Sequence, residues 1–190
     1  MIRAIFLLLI IVSSVLSCTP ISEEGPRPVQ WATPVQLEGV PNLYKVTDYL
    51  YRSSQPTREG MKNLERMGIK TIINLRAFYS DSDEIKETGL RVEELSVKVW
   101  HIGDADVVRV LQIIRRRENG PFLIHCSHGS DRAGVMIAML RMVEQGWTKE
   151  DAIQEMVNGG YGFHRIWIWF GVVGYVKHAD VEKIRKQVET

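Results

Sequence analysis

His125-Cys126-Ser127-His128-Gly129-Ser130-Asp131-Arg132 joins an apolar run, 121–124, to a helical pattern of apolar residues, 133–143. The apolar run predicts a buried strand, and the spacing of the later apolar residues predicts a helix. A loop that leaves a strand and enters a helix turns successive backbone N–H groups toward one point, where the helix dipole adds positive potential. We therefore expect an anion site in this loop, with phosphate as the anion.

The side chains of the loop supply a nucleophile and a phosphate clamp. Backbone N–H groups and a nearby cation stabilise a thiolate, so we expect Cys126 to be ionised near neutral pH and to attack phosphorus, forming a phosphocysteine. Arg132, six residues later, can return to bind two phosphate oxygens with its planar guanidinium. Gly129 leaves room for the backbone to approach the ligand. The predicted substrate-binding set is Ser127, His128, Gly129, Ser130, Asp131 and Arg132.

Strand patterns alternate with helix patterns on both sides of this loop. A strand pair is predicted within Leu43 to Arg52, and single strands at 71–75 and 90–95. This alternation favours an α/β fold with a central, mainly parallel, twisted sheet of about four to five strands flanked by helices. Ligands of such sheets bind beyond the carboxyl ends of the strands, where Cys126 stands.

Capping residues and apolar spacing predict the helices. Thr57 and Thr148 are suitable N-caps for two of them. Apolar residues at helical spacing predict another helix at 107–114. A last helix is predicted from about Arg165 to Val188, with a break at Gly171 or Gly174.

The loop in this strand-to-helix context resembles the signature loop of the protein tyrosine phosphatase superfamily. Segments 50–56, 68–76 and 159–164 resemble the small bacterial dual-specificity-type members, which include enzymes similar to inositol polyphosphate phosphatases, called phytases of the tyrosine-phosphatase type. The resemblance covers about Leu43 to Val176. It implies the cysteine-phosphatase fold and hydrolysis of phosphomonoesters with no cofactor.

The same resemblance implies a general acid on a mobile loop. Asp104 matches the position of the acid in the bacterial members, and Asp106 is the reserve; each is also a possible N-cap of the helix that follows. His125 is expected to support the thiolate loop from behind. Family members usually have Ser or Thr where this chain has Ala133, so we expect slow hydrolysis of the intermediate. A catalytically weak module that binds phosphorylated ligands, a pseudophosphatase, is the alternative function.

A ring of basic side chains around the pocket is a further expectation. Such a ring would suit a substrate with several phosphates, although each residue alone is more often a surface or packing residue. The histidines of the chain lack the spacing of metal ligands, so no metal is expected. The candidates for the pocket rim are Arg52, Arg76, His101, His128 and His164.

The N-terminus has the pattern of an export signal. Arg3 precedes a 13-residue run, 4–16, which is apolar except for two serines and is too short for a membrane-spanning helix. The segment that ends in Cys18 resembles a bacterial lipobox, and an ordinary signal peptide with a chance cysteine is the alternative. We therefore expect residues 1–17 to be a signal peptide, 18–39 a flexible tether and 40–190 the catalytic domain. The expected location is periplasmic, with a lipid on Cys18 attaching the protein to a bacterial membrane.

Composition limits the partners. The 24 basic and 23 acidic side chains give a net charge of +1, which argues against nucleic acid as a ligand. The chain has two cysteines, so lipidation of Cys18 would leave Cys126 without a disulfide partner. The expected partner is a phosphorylated small molecule or phosphoprotein, bound by a monomer. An exported enzyme meets few phosphotyrosyl proteins of its own cell, which favours inositol polyphosphates over phosphotyrosine.

Overall fold

The computed structural model describes residues 27–164 and 169–190. The predicted signal peptide, the predicted lipidation of Cys18 and the first turn of the predicted last helix lie outside the described residues.

A six-stranded sheet forms the centre of the domain, in the order β1-β2-β3-β6-β4-β5. β1 and β3 pair antiparallel with β2, and the other neighbours pair in parallel. The predicted mainly parallel α/β sheet is confirmed, with one strand more than expected. The strands are β1 Thr33–Pro34, β2 Tyr44–Thr47, β3 Leu50–Ser53, β4 Thr71–Arg76, β5 Arg91–Val97 and β6 Phe122–His125.

Helices cover both faces of this sheet. They are α1 Arg58–Arg66, α2 Asp104–Arg115, α3 Asp131–Gln145, α4 Lys149–Asn158, α5 Gly174–His178 and α6 Val181–Glu189, with a 3₁₀ turn at Arg117–Asn119 and a π-helical turn at Trp169–Val173. Both predicted threonine caps are present, since Thr57 accepts a hydrogen bond from the Gly60 N–H and Thr148 from the Asp151 N–H. None of the described helices has the length and apolar character that crossing a membrane requires.

The last predicted helix is broken at a different place. The chain leaves α5 at Ala179, and the Asp180 side chain caps α6 by accepting the Lys183 N–H at 3.0 Å. The predicted breaks at Gly171 and Gly174 are wrong: Gly171 lies within the π-helical turn, and Gly174 begins α5 directly after Val173, whose backbone is helical. The Asp180 capping bond explains where the new helix starts.

The core divides into two clusters, one on each face of the sheet. α3 lies in the larger cluster and is buried on almost all sides, because it packs between the sheet and the other helices of that face. α1 covers the opposite face with Met61 and Leu64. β6 runs between β3 and β4 and has all four residues buried, so the loop that follows it is attached to the most buried strand of the domain.

Part of the predicted tether belongs to the domain. β1 lies within residues 27–39, and Ala32 is buried with its N–H donating to the Glu155 carboxylate at 2.7 Å. Arg27 donates to the Gly159 carbonyl and the Tyr161 hydroxyl. The tether assignment is therefore wrong from Arg27 onward, because contacts with residues far along the chain hold a segment that has no apolar period of its own.

Candidate active site

The segment from Cys126 to Arg132, called here the phosphate loop, connects β6 to α3 and forms one wall of a cavity. The cavity has a volume of about 290 Å³. Cys126 lines it with 2% of its surface exposed and comes directly after the last residue of β6. The residues that line the cavity are Val99, Cys126, Ser127, His128, Asp131, Arg132 and His164.

The carbonyl groups of the phosphate loop are bound by donors that do not line the cavity. The Ser127 carbonyl accepts the Gln55 N–H, that of His128 accepts the side chains of Asn42 and Ser54, and those of Gly129 and Ser130 accept Arg52. In a trans peptide the carbonyl and the following N–H point in opposite directions. The N–H groups after these carbonyls therefore point away from the donors and toward the cavity, which is the arrangement that binds a phosphate.

Arg52 holds the loop from inside the protein. Its side chain is 1% exposed and donates to the carbonyls of Gly129 and Ser130 at 2.5 and 3.2 Å, while its guanidinium lies 3.8 Å from the centre of the Tyr161 ring. Burial lowers the pKa of this guanidinium. The predicted rim position of Arg52 is wrong, because a side chain that reaches the loop carbonyls from behind cannot face the cavity.

Gly129 adopts a backbone conformation that favours glycine. Its φ is +72°, and a Cβ atom there would lie 2.5 Å from the Ser53 carbonyl. The loop thus packs directly on the end of β3, and glycine is required by both its conformation and this close approach.

Arg132 is fixed at the cavity by the ends of two strands. Its guanidinium donates to the Leu75 carbonyl at 3.2 Å, to the Val97 carbonyl at 3.4 Å and to the Ser127 hydroxyl at 3.1 Å. It is partly exposed and lines the cavity together with Cys126. These contacts orient the planar group for binding two oxygens of a phosphate.

His125 and Asp81 form a buried pair next to the loop. The His125 Nε2 atom lies 2.7 Å from the Asp81 carboxylate, and both side chains are fully buried. Burial alone would raise the pKa of Asp81, but its hydrogen bonds from His125 and Gln55 and the charge of Arg76 outweigh burial and lower it. Sequence reasoning missed Asp81, which lies in a polar stretch without a pattern.

The two candidate acids lie at the first turn of α2. The Asp104 carboxylate accepts the Tyr175 hydroxyl at 3.0 Å and the Lys183 ammonium at 2.8 Å. The hydrogen bond from Lys183 is the main reason that the pKa of Asp104 is lowered. The Asp106 carboxylate accepts the Gly103 N–H at 3.0 Å, as a helix cap does. The structure brings neither side chain into the lining of the cavity.

His164 joins the phosphate loop at the cavity. Its Nδ1 atom lies 2.7 Å from the Asp131 carboxylate, and its backbone N–H donates to the same carboxylate at 3.1 Å. The His128 ring contacts the His164 ring edge to face, with centres 4.9 Å apart. Among the described residues, His128, Asp131 and His164 have ligand atoms close enough together to hold a metal ion. The distance between Nδ1 of His164 and the Asp131 carboxylate is, however, that of a direct hydrogen bond within a histidine–carboxylate pair.

The other predicted rim residues lie outside the cavity lining. Arg76 is bound to the Asp81 carboxylate at 2.7 Å, and His101 is exposed on the segment before α2. The predicted basic ring therefore reduces to the two histidines and Arg132. Sequence reasoning missed three exposed aromatic residues that follow β4 and β5. Each is a large apolar side chain in a polar segment, and this contrast could have indicated them. They are Phe78, Tyr79 and Trp100.

A strand-to-helix phosphate loop with one cysteine and one arginine defines the class of cysteine phosphatases. Residues 40–158 match the model of the Tyrosine phosphatase family, so the chain belongs to that family and is a phosphatase. The dual specificity protein phosphatase TpbA of Pseudomonas aeruginosa (strain UCBPP-PA14) is 36% identical over 164 residues, which are 85% of this chain and 72% of TpbA.

Solved structures agree with this assignment. Two crystal structures of P. aeruginosa TpbA, one of them in complex with pTyr, superpose with a TM-score of 0.77 at 33% and 32% identity, covering 86% of this chain and 99% of theirs.

The inositol diphosphatase DSP5 of Arabidopsis thaliana is a more distant relative, 27% identical over 125 residues, which are 60% of each protein.

Proposed function

We propose that this protein hydrolyses phosphomonoesters through a phosphocysteine on Cys126. The observation that carries the proposal is the binding of the four central loop carbonyls by donors outside the cavity lining, which directs the loop N–H groups toward the cavity that Cys126 lines. Fixed N–H donors stabilise the negative charge that a phosphoryl group carries during transfer. Membership of the tyrosine phosphatase family supports the same chemistry.

The proposed reaction has two steps. In the first, the Cys126 thiolate forms a bond to phosphorus as the bond to the leaving oxygen breaks, and that oxygen takes up a proton. In the second, the oxygen of a water molecule bonds to phosphorus as the sulfur–phosphorus bond breaks, which returns the thiolate and releases inorganic phosphate. Arg132 and the loop N–H groups hold the three non-bridging oxygens throughout.

The substrate we propose is a phosphate ester of an aromatic alcohol, of the phosphotyrosine type. Among the described residues that line the cavity, Arg132 is the one permanently charged cation, and Asp131 adds a carboxylate. Several clustered phosphates would lack counter-charges there. Arg132 contacts the ends of β4 and β5, and the exposed aromatic side chains Phe78 and Trp100 follow those ends by a few residues, where they can contact an aromatic or peptide substrate. The pTyr complex of the relative TpbA supports this choice.

Inositol phosphates are the second candidate, supported by the relative that is named an inositol diphosphatase. The pocket-forming histidines His128 and His164 could add positive charge when protonated. The sequence favours inositol polyphosphates, whereas the residues of the cavity favour an aromatic phosphate ester. We therefore propose the aromatic ester as the first candidate substrate and inositol phosphates as the second.

Phosphate release from three substrates tests these proposals: a phosphotyrosyl peptide, para-nitrophenyl phosphate and inositol hexakisphosphate. We expect turnover of the first two, and a loss of at least about 10³-fold in the Cys126→Ser variant because a hydroxyl cannot replace the thiolate. Equal rates for the variant and the wild type would disprove the nucleophile. A clear preference for inositol hexakisphosphate would overturn the proposed substrate and leave the phosphatase intact.

Ala133 bears on how fast the second step runs. It is fully buried at the start of α3 and offers no hydroxyl to the departing sulfur. We propose that breakdown of the phosphocysteine limits turnover, and that the chain is a slow enzyme and not a pure binding module. An initial burst of released alcohol, followed by a slower steady rate, is the expected signature, and binding without any turnover would favour the module.

We also propose a periplasmic location with a lipid on Cys18, supported by the charged start, the short apolar run and the lipobox-like segment of the sequence. In bacterial cells the Cys18→Ser variant should move from the membrane fraction to the soluble fraction or keep its uncut signal peptide. An unchanged membrane-bound, processed protein would contradict lipidation.

A further inference from the structure

Phosphoryl transfer to Cys126 needs a proton donor for the leaving oxygen, since an alcohol leaves far more readily than its anion. Asp104 does not meet this requirement in the structure. Its carboxylate is occupied by Tyr175 and Lys183 and lies outside the cavity lining, and the ion pair favours the form that has no proton to give. Asp106, the reserve candidate, accepts the Gly103 N–H and also lies outside the lining, so we look for the donor among the groups that line the cavity.

His164 meets the geometric requirements. It lines the cavity with Cys126 and Arg132, and about half of its side chain is exposed. Two hydrogen bonds to Asp131, one from the ring Nδ1 and one from the backbone N–H, fix both the His164 ring and the backbone to which it is attached. The Asp131 carboxylate is 6% exposed and also accepts the Ser130 hydroxyl, so it is held in place itself.

We propose that His164, oriented by Asp131, is the general acid and base of this phosphatase. Since Nδ1 is bonded to the carboxylate, Nε2 is the nitrogen that exchanges the proton. The inference rests on the proposed phosphocysteine mechanism and adds to it the group that moves the proton. His164 would be a catalytic residue and Asp131 a positioning residue.

The protons balance over the two steps. The imidazolium gives its Nε2 proton to the leaving oxygen while sulfur bonds to phosphorus, which releases a neutral alcohol and leaves a neutral imidazole. In the second step that imidazole accepts a proton from the attacking water while the sulfur–phosphorus bond breaks. The enzyme ends with a thiolate and an imidazolium, as it began.

His128 is a poorer candidate for the same role. It lines the cavity, but among the described residues its ring makes no ion pair with a carboxylate, and its contact is the edge-to-face packing on His164. A catalytic imidazole is effective when a second group fixes its orientation and tautomer. Of the two rings, the structure provides that group to His164 alone.

The test compares two aryl phosphates that differ in their need for an acid. The 4-nitrophenolate of para-nitrophenyl phosphate leaves with little help, whereas phenolate from phenyl phosphate needs a proton. We expect the kcat/KM of His164→Gln to fall at least about 100-fold on phenyl phosphate and less than about 10-fold on para-nitrophenyl phosphate. Asp131→Asn should show the same selectivity with a smaller loss, because its amide can still orient the ring.

Two further variants complete the design. His178→Gln removes an exposed histidine at the end of α5 and should leave both rates unchanged. Asp104→Asn tests the alternative acid and should show no selectivity between the two substrates. Competitive inhibition by inorganic phosphate and the thermal unfolding midpoint show whether each variant keeps its loop and its fold.

The results separate this inference from the proposed function. Equal losses on both substrates in His164→Gln, or a selective loss in Asp104→Asn, would overturn the role of His164 while the phosphatase stands. If His164→Gln fails to fold, the selectivity of Asp131→Asn decides in its place: selective loss supports the pair and uniform loss contradicts it. Unchanged turnover in Cys126→Ser would instead remove the mechanism on which the inference rests.

Discussion

The two sides of the phosphate loop differ in burial and in what their side chains do. The cavity side presents Cys126, Arg132 and two histidines around a small open space. The other side is buried and dense with hydrogen bonds: Arg52 binds two loop carbonyls, and His125 is paired with Asp81. The cavity side contains the groups that we propose to react, and the buried side fixes the direction of the backbone. Changes on the first side should therefore alter rates at constant stability, and changes on the second should alter both.

Apart from the loss of the nucleophile in Cys126→Ser, the largest effect on rate is expected on the cavity side, from Arg132→Lys. An ammonium cannot bind two phosphate oxygens in the planar geometry of a guanidinium, so kcat/KM should fall by about 10²–10³-fold. Because Arg132 is partly exposed, the free energy of unfolding should change by less than about 1 kcal/mol. Steady-state kinetics and urea unfolding of the same samples check both statements. A large loss of stability would contradict the expectation that changes on the cavity side leave stability constant.

Arg52→Met should have the largest effect on stability. It leaves the Gly129 carbonyl without its donor in a buried setting and removes one of the two donors to the Ser130 carbonyl, which keeps the Gly134 N–H, at a cost of about 2–4 kcal/mol. The rate should fall as well, because the loop N–H groups lose their fixed direction. Arg58→Met, an exposed arginine of α1, is the matched control and should change stability by less than about 0.5 kcal/mol. A variant of normal stability and rate would show that Arg52 does not hold the loop.

Asp81→Asn should destabilise the protein in a way that depends on pH. The folded pKa of Asp81 is lowered, so its contribution to stability is complete above the unfolded value of about 4 and disappears as the pH falls through the folded value. We expect the variant to be about 1–3 kcal/mol less stable near pH 7. Urea unfolding at pH 7 and at pH 3 measures the difference, which should shrink at the lower pH; a difference that does not depend on pH would contradict the charged state of Asp81.

The smallest effect is expected from Ser54→Ala on the outer edge of the buried side. The Ser54 hydroxyl is one of two donors to the His128 carbonyl, and Asn42 remains as the other. The loss should be about 0.5 kcal/mol in unfolding free energy, with kcat/KM within about 3-fold of the wild type. The double variant Asn42→Ala/Ser54→Ala should lose more than the sum of the single changes, since only then is the carbonyl without a partner. Simple additivity would mean that the carbonyl does not need these donors.

The thiol and the guanidinium of the cavity side could be predicted from the sequence because their information is local. Cys126 and Arg132 are six residues apart between a strand pattern and a helix pattern, so their meeting requires no knowledge of distant contacts. The buried side could not be predicted in the same way. Arg52 reaches Gly129 across 77 positions and Asp81 reaches His125 across 44, and neither residue lies in a pattern that indicates burial.

The same reason explains the remaining differences. Asp104 occupies a suitable sequence position for a general acid, but its carboxylate binds Lys183, which lies 79 positions later in the chain. The segment that begins at Arg27 lacks an apolar period and still belongs to the domain, because it is hydrogen-bonded to Tyr161 and Glu155, which are distant in sequence. Spacing predicts which side chains share a loop, whereas the partner that fixes a charge is decided by tertiary packing.

Trapping the phosphoryl group on the loop tests the phosphocysteine directly. The protein is mixed with excess para-nitrophenyl phosphate, denatured within the burst phase and digested, and the peptides are analysed by mass spectrometry. We expect a phosphoryl group on the peptide that contains Cys126, at a level that matches the burst, and none on that peptide in Cys126→Ser. Turnover with an unmodified Cys126 peptide, or with the phosphoryl group on another side chain such as His128, would contradict it.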